Sequence, residues 1–304
     1  MLYIVGYWHL FNYTEAFPEY HNAFTSILTF IVLGLFVFIS GFLVGRTEIK
    51  SNNRIHFFKK RLIRIYPLYV LSITLFYVYG INDADTSLKS LVFLSMYLGP
   101  PPLTLWFIAM IFLFYLASPF LHNFVDYPIK FISFILLIFM ATLALRVIFK
   151  QVDLRVLLYF PCFCLGLYCS KQGLKTKMIN IKTALLVLFL GFNLLFVEIN
   201  SWTLNKLKEI PIVLSGSYLI FVISNLNENK FQKVKLISLI SYSSFAMYLF
   251  HRPVYITMKA FYFPENGVLQ IVYLSTVCLF MVAFISWCLQ KLYDRTYMVL
   301  MPST

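Results

Sequence analysis

The sequence predicts an all-α, polytopic integral membrane protein: about ten transmembrane helices in a single bundle, N-in and C-in. Composition is the first observation behind this: 61% of the 304 residues are hydrophobic, 12% are charged, and mean hydropathy is +0.80. Soluble chains carry about 25% charge, so a water-soluble globular domain is excluded. The second is the recurrence of apolar runs approaching the ~20 residues that a spanning helix needs. The third is that Lys and Arg gather in alternate loops, as cytoplasmic loops do under the positive-inside rule.

The runs are predicted near 1–13, 24–45, 64–80, 103–121, 131–149, 155–170, 183–200, 209–226, 236–258 and 267–290. The first is short for a crossing and is expected to be the end of a helix truncated at its N-terminus. No basic region precedes it, so no cleavable signal is expected. Gly41 and Gly45 close the second run as a small-xxx-small face suited to tight helix packing. The longest polar stretch, Arg46 to Arg61, is too short to fold alone, so 1–304 reads as one domain. Residues 88–99 form a shorter apolar piece stopped by Gly99-Pro100-Pro101-Pro102, which suits a re-entrant or interfacial helix.

With the N-terminus inside, the basic loops at 46–64, 171–182 and 227–235 all face the cytoplasm, together with Lys130, Lys291 and Arg295. Membrane orientation therefore accounts for the net charge of +13, and nucleic acid is not an expected partner. Cys162, Cys164, Cys169, Cys278 and Cys288 all sit in apolar runs without neighbouring His or acidic residues. They read as packing groups, with neither a disulfide framework nor a metal site implied.

Ionisable groups inside spans are costly and point to function. His9 lies in the outer half of the first run, and His251 with Arg252 in the outer half of the ninth, at similar depth by residue counting. A neutral imidazole is the usual proton acceptor near pH 7. Arg61 and Arg64, three apart at the mouth of the third run, project from one helix face. Two guanidinium forks there suit a phosphate-bearing ligand, although anchoring at the membrane surface explains them equally simply. Ser40, beside Gly41, offers a hydroxyl to a passing ligand. Trp106 opens the fourth run and on its own reads as an interface-belt aromatic. Arg146 reads as snorkelling, and Glu198 as a group that could orient a histidine.

These features occur in a telling order. An early membrane histidine is followed by Phe36-Val37-Phe38-Ile39-Ser40-Gly41-Phe42-Leu43, then by Lys59-Lys60-Arg61-Leu62-Ile63-Arg64-Ile65-Tyr66-Pro67. Leu105-Trp106-Phe107-Ile108 comes next, and Tyr248-Leu249-Phe250-His251-Arg252-Pro253 stands late in the chain. Over essentially its whole length the chain resembles acyltransferase family 3, the bacterial membrane O-acyltransferases. The resemblance implies a catalytic role for His9, an acyl-CoA site at Arg61 and Arg64, and matches to family motifs at Ser40-Gly41-Phe42 and at Tyr248, Leu249, His251 and Pro253. The family's basic residue upstream of the first histidine has no counterpart here.

The expected activity is transfer of an acyl group, acetyl first among them, from cytoplasmic acyl-CoA to a hydroxyl of a cell-surface polysaccharide or its lipid-linked precursor. The expected setting is the bacterial inner membrane. Acyl-CoA enters as donor substrate, with no permanently bound cofactor. His9 and His251 are the expected catalytic groups. Arg61, Arg64, Ser40 and Gly41 are expected to meet the donor, and Trp106 and Arg252 the acceptor. The alternative is a glycan flippase or transporter, which also places charges in helices but has no need of acyl-CoA. A polysaccharide polymerase would carry a large outer loop, and no run of polar residues supplies one.

Overall fold

A computed structural model describes residues 2–47, 49, 54–172, 181–226 and 235–300. Lys50, Lys175, Lys177, Lys230 and Lys233, counted among the cytoplasmic charges, lie outside the described residues. Helix is the only regular structure among those described. The chain opens with a π-helical turn at Ile4–Trp8 and a 3-10 turn at Leu10–Tyr13. The long helices that follow are α1 (Ala23–Gly45), α2 (Arg54–Val78), α5 (Trp106–Phe124), α6 (Pro128–Phe149), α7 (Arg155–Gln172), α8 (Ile181–Leu195), α10 (Ile210–Leu226), α11 (Lys235–Phe261) and α13 (Leu279–Leu300). Short helices α3 (Ala84–Leu91), α4 (Ser95–Leu98), α9 (Trp202–Leu207) and α12 (Gly267–Tyr273) complete the order. A π turn at Leu274–Cys278 joins α12 to α13.

Helical segments stand at all ten predicted positions, but among the described residues only six are both long and apolar enough to cross a membrane. These are Ala23–Gly45, Arg54–Val78, Trp106–Phe124, Pro128–Phe149, Trp202–Asn225 and Gly267–Thr296. α8 falls short in length, at 15 residues. α11 is long enough at 27 residues, but His251, Arg252 and a run of serines lower its hydropathy. The third segment starts at Arg54, well before the predicted 64, so the basic stretch is itself helical.

Local chemistry explains the helix starts. Asn22 caps α1, accepting from the Thr25 N–H at 3.0 Å while its own N–H donates to Thr25 Oγ1 at 3.1 Å, a capping box. Asp83 caps α3 by accepting from the Thr86 N–H at 2.8 Å. That hydrogen bonding holds its carboxyl below the usual carboxylate range.

The centre of the bundle is the crossing of α1 on α7. A Cβ placed at Gly41 would stand 2.0 Å from the Phe163 carbonyl oxygen, and one at Gly166 would stand 2.0 Å from that of Phe38. Only glycine lets two backbones approach this closely. Phe38, Phe163 and Tyr159 fill the adjoining core.

The predicted re-entrant piece is two short helices rather than one, broken at residues 92–94. Phe93 stacks on Tyr69 (centroids 5.4 Å apart) and on Phe112 (4.0 Å), and the Tyr69 hydroxyl donates to the Ser90 carbonyl at 3.2 Å. The segment therefore dips between α2 and α5, well short of the end of α2 at Val78.

Two ties set the register of the functional helices. Tyr79, just past α2, bonds Thr257 of α11 at 2.6 Å. At the other end Tyr293 of α13 donates to the Ile63 carbonyl, while Tyr242 of α11 donates to Asp294 at 2.5 Å. Helices α2 and α11 therefore run parallel and advance together, with α13 antiparallel to both.

Candidate active site

The first segment climbs beside α11, and this brings together residues far apart in sequence. The Tyr255 hydroxyl donates to the Val5 carbonyl at 3.2 Å, and Lys259 donates to that of Tyr13 at 2.9 Å. One turn before Tyr255 on α11, the His251 ring lies 4.8 Å from that of His9, tilted by 32°. His251 is 0% exposed and His9 9%. The sequence placed the two at similar depth; the structure places them in contact.

Hydrogen bonding distinguishes their nitrogens. His251 Nδ1 lies 2.9 Å from the Tyr248 carbonyl oxygen, which only accepts, so Nδ1 carries the proton. The Nε2 lone pair is then free, and it is buried with no partner among the described residues. His9 Nδ1 lies 3.3 Å from the Asn12 amide nitrogen and 3.5 Å from Arg252 Nη2. A guanidinium only donates, so His9 Nδ1 is the acceptor and its Nε2 carries the proton. The two rings lie against each other without a hydrogen bond between them, and Arg252 supplies positive charge beside His9.

A second cluster stands at the same depth. The Tyr248 hydroxyl donates to the Thr104 carbonyl, and the Tyr248 ring lies 5.4 Å from Phe107. Helix α5 thus begins beside the histidines instead of at the end of the bundle. Trp106 is consequently 8% exposed, unlike an interface-belt aromatic. The Arg155 guanidinium sits 3.9 Å from its ring centre and pairs with Asp153, whose carboxylate accepts from Arg155 Nε at 2.9 Å. Tyr159 stacks alongside Trp106 at 6.0 Å. Arg155 escaped the sequence reading because it falls at the start of a run, where a basic residue looks like an anchor. Its neighbours Asp153 and Trp106 were the signal that could have found it.

Arg61 and Arg64 lie toward the other end of α2. Arg61 is half-buried, with its guanidinium over Tyr115 (5.1 Å) and Phe57 (5.5 Å), while Arg64 is exposed. With α2 and α11 in register and rising about 1.5 Å per residue, His251 stands about 13 Å above Arg64 and about 17 Å above Arg61. Ser40 and Gly41 are placed otherwise: the Ser40 hydroxyl donates to the Phe36 carbonyl at 2.9 Å, and Gly41 is buried against Phe163. Arg146 donates to the Val152 carbonyl at 2.9 Å and lies over Trp202. Glu198 is exposed in the loop after α8.

A family model described as an acyltransferase domain matches residues 1–290 of the 304, and so takes in both histidines and the arginine pair. Neither the curated proteins nor the solved structures gave a match.

Proposed function

Since the chain belongs to acyltransferase family 3, we propose that it carries an acyl group, acetyl above all, from cytoplasmic acyl-CoA to a glycan hydroxyl. The acceptor is a unit of a cell-surface polysaccharide or its lipid-linked precursor, and the setting is the bacterial inner membrane, with both termini inside. The observation that carries this reading is the vertical arrangement: a buried histidine pair with its own arginine, Arg252, above the Arg61 and Arg64 pair toward the other end of α2.

Acyl-CoA is too highly charged to cross lipid, so its phosphates rest on Arg61 and Arg64 while the thin arm rises between α2 and α11. The thioester then meets His9. An acceptor hydroxyl attacks the acyl carbon, the C–O bond forms and the C–S bond breaks. His9 Nδ1 takes the hydroxyl proton and returns it to the departing thiolate. His251, whose Nε2 lone pair is free and whose ring lies 4.8 Å from that of His9, stabilises the positive charge that His9 carries between these two transfers, and no proton passes to it. Arg252, 3.5 Å from His9 Nδ1, would offer its charge to the tetrahedral oxygen, where a fixed cation speeds acyl transfer most. Trp106 carries the Arg155 guanidinium on its ring beside the histidines, at the depth where the acceptor would be met.

Purified protein in lipid nanodiscs tests the donor half. With Arg61→Ala and Arg64→Ala combined, acyl-CoA affinity is expected to fall by at least tenfold, because charge-assisted bonds to phosphate are lost. Lysine at both positions is expected to restore it only in part, since an ammonium lacks the planar fork. Parental affinity in the double alanine variant would reduce both arginines to membrane anchors.

A further inference from the structure

We infer that the polar hollow beside His9 is the acceptor site, and that it holds one neutral sugar unit. This deepens the acyl-transfer reading and rests on it. The hollow has a volume of about 250 Å³ and is lined by Asn12, Tyr13, Thr14, Glu15, Lys259, Phe263 and Gln270. It lies at the opposite end of α11 from the level of Arg61 and Arg64. Donor and acceptor therefore reach the histidines from opposite directions.

Asn12 joins hollow and histidine. Its side chain lines the one and lies 3.3 Å from Nδ1 of the other. That bond is long, so a hydroxyl entering from the hollow can take its place as donor to Nδ1, which is the geometry that proton transfer requires.

The lining specifies the ligand class. Two amides, a hydroxyl, a carboxylate and an ammonium present both donors and acceptors, and each sugar hydroxyl needs both. Glu15 and Lys259 cancel in charge, which disfavours a phosphate or a uronate. Phe263 offers an apolar face to the C–H side of a sugar ring. Pockets for drug-sized ligands run from about 300 Å³ upward, so this volume suits a single ring.

The hollow is also built to hold its shape. Thr14 Oγ1 donates to Gln270 Oε1 at 2.6 Å, and Gln270 Nε2 donates to the Pro264 carbonyl at 2.9 Å. Lys259 is fixed over Phe263 at 4.4 Å while donating to Tyr13. Thr14, Gln270 and Lys259 are thus held by other bonds, as a selective site requires.

The test uses Glu15→Cys and Gln270→Cys, expressed separately in cells that make a surface glycan and treated with a bulky, membrane-impermeant maleimide. Glu15 is exposed, so its variant is the safeguard should Gln270→Cys fold poorly. Labelling is expected to lower the ester content of the glycan at least tenfold, read by mass spectrometry against the same unlabelled cells and against labelled parent. Reconstituted protein given acetyl-CoA with either a soluble polysaccharide or lipid-linked saccharides then shows which source supplies the sugar. Unchanged ester content on fully labelled Glu15→Cys, or failure of the reagent to reach either cysteine, overturns the assignment. Absence of ester in cells with the unlabelled parent instead overturns the acyl-transfer reading beneath it.

Discussion

Replacing His9 with Gln is expected to abolish glycan acylation while acyl-CoA still binds. Gln keeps a hydrogen-bonding amide near Asn12 and Arg252 but cannot take a proton near neutral pH. General base assistance is worth about 10²–10⁴-fold, and the loss should fall in that range. His9→Ala should lose at least as much. In the proposed arrangement the donor would rest on Arg61 and Arg64, some 13–17 Å lower by helix rise, so acyl-CoA affinity is expected to stay within about twofold, well under the tenfold that 1.36 kcal/mol represents. Activity of His9→Gln near the parental rate would make His9 structural and shift the chemistry to His251.

The second large effect is expected at His251. An Asn in its place can still donate to the Tyr248 carbonyl, which is the bond that now holds Nδ1 at 2.9 Å. What Asn lacks is the free lone pair on the far edge of the ring. If that lone pair serves His9, His251→Asn should lose about 10²-fold or more, as much as His251→Ala. If His251 only braces the helix, Asn should rescue what Ala loses. The His9→Gln, His251→Asn double variant should be no worse than His9→Gln alone, because residues acting as one unit are not additive. An additive double variant would mean that the two rings act separately.

The helical segments were legible because long Leu and Phe runs need no tertiary information to be recognised. The histidine pair was legible in part: an imidazole in an apolar helix is a signal by itself, but its contacts are not. Arg252 reaches His9 from the opposite end of the chain, and no local pattern records that. The start of α5 at mid-depth was hidden for a similar reason. A Trp at the head of an apolar run looks like a surface aromatic until Tyr248, Thr104 and Arg155 are seen around it. The hollow at Glu15, Lys259 and Gln270 was invisible because its residues lie in segments that read as connecting loops or helix ends. Gly41 and Gly45 were readable as packing residues, and Gly41 is buried against α7, but its partner Gly166 belongs to a run that gives no such hint.

The central claim is that this chain joins an acyl-CoA donor to a glycan hydroxyl across the His9–His251 pair. Reconstituted protein should be given acetyl-CoA deuterated in its acetyl group, together with surface glycan from cells lacking the protein. The account predicts a glycan heavier by the labelled acetyl ester, with an equal amount of free CoA released, and neither product from His9→Gln. Movement of an unmodified glycan that proceeds without acyl-CoA, with no ester formed when acyl-CoA is supplied, would contradict the account and make the protein a transporter.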